Sequence, residues 1–194
     1  GGGQGVYIND ISKALSIMGH KVDVISGPPY PNLSEEVNLI ELPGLDLFQT
    51  FSFNERVKIF WKKERKNFSD IYEFLSVLLG GFPEMRTFGY RARDYLNINN
   101  HYDIVIDNQS ISYAMIDIQK LFPFIEIIHH PITKDFKYEM DQSNKLLYKF
   151  SRRRWYSFLK MQKRVAPKIN NIITPSINSL RDISKDFNCD PSRI

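Results

Sequence analysis

Apolar and polar positions follow two rhythms along this chain, that of amphipathic helices and that of short buried strands. Ile8, Ile11, Leu15 and Met18 recur at helical spacing, and Gly19 follows where a helix can close on a left-handed residue. Residues 22–26 (Val-Asp-Val-Ile-Ser) read as a strand stopped by Gly27-Pro28-Pro29, and residues 38–42 as a second strand before Pro43-Gly44. Residues 54–98 read as mostly helical, broken at Gly80-Gly81-Phe82-Pro83, with a new helix from Pro83-Glu84. A third strand is predicted over 103–107, followed by a helix over 110–121. A fourth covers 124–128 and ends at His129-His130-Pro131. A long helix over 138–166, a strand over 171–174 and a helix N-capped by Ser176 complete the pattern.

Short apolar strands alternating with helices predict an α/β fold, a Rossmann-like parallel sheet with helices on both faces. A glycine run, Gly1-Gly2-Gly3-Gln4-Gly5, opens the first helix, yet no strand precedes it, whereas such a loop normally follows one. The chain stops at Pro191-Ser192-Arg193-Ile194, just after a helix, where another strand is expected. Both ends therefore read as cut. Residues 1–194 are expected to be a single Rossmann-like domain of a longer protein, lacking its first strand.

Composition narrows the class. Hydrophobic residues make up 42% of the 194 and aromatics 13%, enough to build a core and to exclude disorder. The lone Cys189 has no internal disulfide partner. No segment reaches the roughly 20 apolar residues that cross a bilayer, and the N-terminus lacks a signal pattern. These features predict a cytoplasmic chain. The net charge of +4 is unevenly spread, because residues 145–169 carry nine Lys/Arg and no Asp/Glu.

Two places carry candidate chemistry. A helix N-terminus offers unpaired N–H groups and about half a positive charge, so the glycine run is a phosphate cradle or simply a tight turn. A dinucleotide fingerprint is disfavoured: its third glycine falls on Ile8, and the second strand ends in Ser26 rather than an acid. A P-loop is disfavoured because no Gly-Lys-Ser/Thr occurs. The second place is the end of the fourth strand, where ligands gather in parallel sheets. There His129, His130, Thr133, Lys134 and Asp135 lie close in sequence. Neighbouring strand residues point to opposite faces, so the two histidines are not expected to share a ligand, and no metal site is predicted. Tyr30, Phe82 and Arg86 are placed in loops that shape the same side.

In order, Gly1–Tyr7, Met18-Gly19-His20-Lys21-Val22-Asp23-Val24-Ile25-Ser26, residues 102–108 and residues 172–179 resemble the successive motifs of the N-terminal domain of glycosyltransferase family 4. The resemblance covers nearly the whole chain. It implies the N-terminal half of a GT-B enzyme, with a second domain absent here, that moves a sugar from a nucleotide-sugar donor to an acceptor with retention and without metal or other cofactor. The absence of any Asp-x-Asp pair agrees with this. It further implies that the loop, including Gly2, Gly3, Gln4 and Gly5, lies beside the donor diphosphate, and that a strand-end histidine contacts the donor sugar. His129 is the matching position and His130 the fallback. On this reading the 194 residues alone are inactive.

Residues 145–169 also form an amphipathic pattern. Lys145, Lys149, Arg152, Arg153, Lys160, Lys163 and Arg164 share one arc, opposite Leu147, Phe150, Trp155, Phe158, Leu159, Met161, Val165 and Ile169. The plain expectation is a helix packed on the sheet with its basic face in solvent. The functional expectation is peripheral contact of the Lys145–Lys168 stretch with an anionic membrane, as part of the enzyme or as a non-catalytic membrane- or polyanion-binding module. No motif supports nucleic acid.

Overall fold

The computed structural model describes residues 3–50 and 52–194. Helix α1, Gly3–Ile17, ends as its sequence requires. Gly19 adopts φ +92°, its N–H donates to the Ser16 carbonyl, and the His20 N–H donates to the Leu15 carbonyl, which satisfies two terminal carbonyls. Strands β1 (Asp23–Ser26) and β2 (Asn38–Glu41) pair in parallel, with Asp23 opposite Asn38. Three helices follow: α2 (Phe53–Lys62), α3 (Phe68–Leu78) and α4 (Glu84–Ile98). Strand β3 (Val105–Asn108), helix α5 (Tyr113–Leu121) and strand β4 (Phe124–Ile127) form a parallel crossover unit. Then come α6 (Thr133–Asp141), α7 (Leu146–Trp155), α8 (Leu159–Val165), β5 (Ile172–Ile173) and α9 (Ile177–Phe187).

The five strands among the described residues run in parallel ladders, and the architecture is the Rossmann-like one expected. The ladders are two rather than one: β1–β2, and β3–β4–β5 with β4 central. A side chain ties them together, since Tyr102, at the approach to β3, donates its hydroxyl to Asp23 of β1 at 2.8 Å. The main core lies around the three-stranded sheet. Leu96 of α4, Met115 and Ile118 of α5, Met161 and Val165 of α8, and Ile183 and Phe187 of α9 are buried against Phe124, Ile128 and Ile172. Burying such side chains contributes about 1.5–3 kcal/mol each.

Away from the sheet, α3 and α4 are joined by charge. Asn67 caps α3 with Asp70 in a reciprocal capping box. Arg91 of α4 donates to buried Glu73 at 2.6 Å and to Asp70 at 3.0 Å, while Glu73 also accepts the Leu45 N–H at 3.1 Å. These buried acids are fully engaged, which makes the α3–α4 pairing costly to disturb.

Three expectations need correction. The helix predicted over 138–166 is three pieces. Its first part begins earlier, at Thr133, and Gln142-Ser143-Asn144 interrupts it. A second break follows Trp155, where buried Tyr156 and Phe158 sit in a 3-10 turn. The helix predicted from residue 110 starts at Tyr113, because residues 109–112 form a capped turn. Phe82 lies in a loop as expected, packed against Trp155 and Phe158. Arg86 lies within α4 rather than in a loop, stacked over Tyr72 at 4.7 Å and donating to its hydroxyl.

Helix α4 approaches the start of α5 closely enough that a Cβ on Gly89 would stand 2.8 Å from the Cβ of fully buried Ser112 and 3.4 Å from that of Ala114. Gly89→Ala is therefore expected to cost about 3 kcal/mol by overpacking. Urea unfolding measures it, and an unchanged midpoint would show that the helices separate freely.

Candidate functional site

The candidate site lies where β3 and β4 end side by side. Asp107, the third residue of β3, accepts the Ser110 N–H and the Ser110 hydroxyl, both at 2.8 Å, and the Ile111 N–H at 3.4 Å. That side chain caps a turn in which Gln109 (φ 65°) and Ile111 (φ 46°) are left-handed, a conformation unusual for residues with a Cβ. Ser112 ends the turn and caps α5 by accepting the Ala114 N–H. Opposite Asp107 in register is Glu126, fully buried. Burial first, and then the adjacent Asp107, raise its carboxyl well above the ordinary range, which favours the neutral form beneath the turn.

The turn aims one amide at the end of β4. Gln109 Oε1 accepts the His129 N–H at 3.0 Å, and Gln109 Nε2 donates to the His130 carbonyl at 3.1 Å. The His129 ring is fixed from two further sides. Its Nε2–H donates to Asn108 Oδ1 at 2.8 Å, which leaves Nδ1 with its lone pair. The Tyr7 ring of α1 meets it edge-on, with centroids 4.6 Å apart. The first turn of α1 is Gly3-Gln4-Gly5, so the structure brings the glycine run's helix to the strand-end histidine. Gly3, Gln4 and Gly5 are helical rather than a preceding loop, and nothing lies within 4 Å of where a Cβ on Gly3 or Gly5 would be. Gly2 lies outside the described residues.

His130 diverges from its neighbour, although both lie in the bend after β4 rather than on the strand itself. It is exposed and stands 3.6 Å from Asp135 of α6. Among the described residues no group of three or more His, Cys, Asp or Glu side chains is placed to hold a metal ion. No helix among them is long and apolar enough to cross a membrane. Sequence reasoning found His129 and His130 but missed Asn108, Gln109, Asp107, Glu126 and Tyr7. The strand motif ending in Asp107-Asn108 was visible; its role in orienting His129 was not.

A parallel α/β fold whose strand-end histidine packs against Tyr7 of the opening helix frames the class of the candidate site. The family comparison names it: Glycosyltransferase Family 4 matches residues 1–194, and the chain belongs to that family. It is also 39% identical over 196 residues to the MMP alpha-(1->4)-mannosyltransferase of Mycolicibacterium hassiacum. That alignment takes in all of this chain and 47% of the relative's length, so the chain spans about half of that enzyme.

Burial, and then His130, lower the His129 imidazole below its ordinary 6.5, which favours its neutral form. A histidine lowered in the folded state binds its proton less tightly there than in the unfolded chain. Its contribution to stability is complete above pH 6.5 and declines as the pH falls below that value. NMR titration of the His129 ring protons is expected to give a midpoint below 6.5; a midpoint at or above it would contradict the enclosed geometry.

Proposed function

We propose that this chain is the acceptor-side half of a retaining transferase that moves a mannosyl group from a nucleotide-sugar to a sugar acceptor. One observation carries the reading: a neutral histidine is fixed at a strand end against the helix whose first turn is Gly3-Gln4-Gly5. Family membership supports glycosyl transfer, and the relative's name supplies mannose and the α-(1→4) linkage.

The chemistry follows from charge. As the sugar–phosphate bond breaks, negative charge grows on the leaving diphosphate. The open N–H groups at the start of α1, including those of Gly3, Gln4 and Gly5, face that charge with the positive end of the helix dipole. His129 orients the donor sugar by hydrogen bonding through a ring whose rotamer Asn108 and Tyr7 hold. Being neutral, it adds no cation beside an electron-poor anomeric carbon. His130, on the outer side, is the second candidate for contact with substrate. No metal or further cofactor enters this scheme.

In the full-length enzyme assayed with GDP-mannose, His129→Ala is expected to lower kcat about hundredfold, with a smaller effect from His130→Ala. Near-normal turnover by the first variant would remove His129 from the site.

A second reading concerns where the enzyme works. Leu146, Leu147 and Phe150 of α7 are 83%, 86% and 59% exposed, beside Lys145, Lys149 and Arg153, with Arg154 stacked over Phe150 at 5.5 Å. This face fits an anionic bilayer, where each nearby basic residue contributes about 1 kcal/mol. The full-length protein is expected to sediment with phosphatidylglycerol vesicles at low salt and to lose most of that binding in Leu146→Ser/Leu147→Ser. Equal recovery in the supernatant with and without vesicles would exclude this docking.

A further inference from the structure

A cleft of about 480 Å³ opens between α6 and α7, beside the strand end but separate from the His129 cage. Three tyrosines line it, Tyr138, Tyr148 and Tyr156, together with Asp135, Glu139, Gln142 and Arg152. No aliphatic side chain takes part, which argues against a lipid tail or an apolar peptide anchor. Two carboxylates disfavour a phosphate or other anion. Glu139 is already committed, accepting the Tyr156 hydroxyl at 2.9 Å and an Arg152 N–H at 3.2 Å, so a free cation finds no open acidic cage.

What remains is a ligand with flat C–H faces edged by hydroxyl groups. Aromatic rings pack against the faces; carboxylates accept from hydroxyls, and guanidinium and amide groups donate to them. The lining is ordered in advance. Glu139 is held between Tyr156 and Arg152, and Arg152 lies over the rings of Tyr148 at 5.7 Å and Trp155 at 5.9 Å. Tyr138 presents its ring to solvent at 68% exposure, a large surface available for stacking. Preordered contacts of this kind reduce the entropy lost on binding.

The cleft is also correctly aimed. Asp135 belongs to its wall and stands 3.6 Å from His130, the residue after His129. A chain lying in the cleft therefore has one end beside His130, next in sequence to the caged His129.

We infer that the α6–α7 cleft is the acceptor subsite and that it takes a neutral hexose oligosaccharide, stacked on Tyr138 and Tyr148 with its hydroxyls on Asp135, Gln142 and Arg152. This rests on the transferase reading above and adds the acceptor class and its residues.

The test uses the full-length enzyme and α-(1→4)-linked mannotetraose. Calorimetry without donor measures binding, and GDP-mannose assays measure acceptor KM and kcat. Tyr138→Ala and Gln142→Ala are expected to weaken mannotetraose at least tenfold and to raise acceptor KM by a similar factor with kcat held. Tyr138→Phe, which keeps the ring, is expected to restore binding. Both residues are at the surface, and unfolding midpoints verify that the variants fold. Unchanged affinity in Tyr138→Ala, or no binding of mannotetraose by the wild type, overturns the assignment even if sugar transfer is intact. Binding that Tyr138→Ala abolishes, in an enzyme that consumes neither GDP-mannose nor any other nucleotide-activated mannose, upholds the oligosaccharide site and overturns the mannosyl-transfer reading instead.

Discussion

At the carboxyl end of the three-stranded sheet, the Asp107 carboxylate takes three hydrogen bonds from the turn that follows it. Without those bonds the left-handed Gln109 and Ile111 would lose their support, since such backbone costs roughly 1–2 kcal/mol per residue with a side chain. The turn in turn sets two things. It presents the Gln109 amide to the main chain at His129 and His130, and it delivers Ser112 to the N-cap of α5. Helix α5 then packs on α4 across Gly89, and α4 is tied to α3 through Arg91. The site is thus continuous with the structural polar network by way of one capped turn.

Much of the architecture was legible because it depends on local signals. Gly19 closes α1, Ser176 caps α9 by accepting the Ser179 N–H, and apolar runs mark the strands to within a residue or two. The strand-end histidines were legible for the same reason: parallel strands place their ends together. The orienting groups were not. Glu126 sits in Phe-Ile-Glu-Ile, a pattern that reads as alternation toward solvent, yet it is fully buried because β4 is central. No glycine announces the left-handed turn at 109–111, because Asp107 stabilises it from outside the turn. Contacts between distant segments, such as Tyr7 on His129, have no local signature at all.

The basic segment shows how a pattern can be right in composition and wrong in continuity. Read as one helix, residues 145–169 carry one apolar face and one basic face. In the structure the breaks around residues 156–158 divide that face in two. Leu159, Met161, Val165 and Ile169 are buried, whereas Leu146, Leu147 and Phe150 are exposed. Periodicity could not reveal this, since both halves have the same rhythm. Only the sheet's extent decides which half finds a partner within the domain.

Gln109 has one more consequence. Its amide is used in both polarities at once, as acceptor to one main-chain group and donor to the next. Glutamate would set an oxygen against the His130 carbonyl, lysine would set a cation against the His129 N–H, and asparagine falls one methylene short. In this buried turn, the permitted alphabet at position 109 contracts to a single letter.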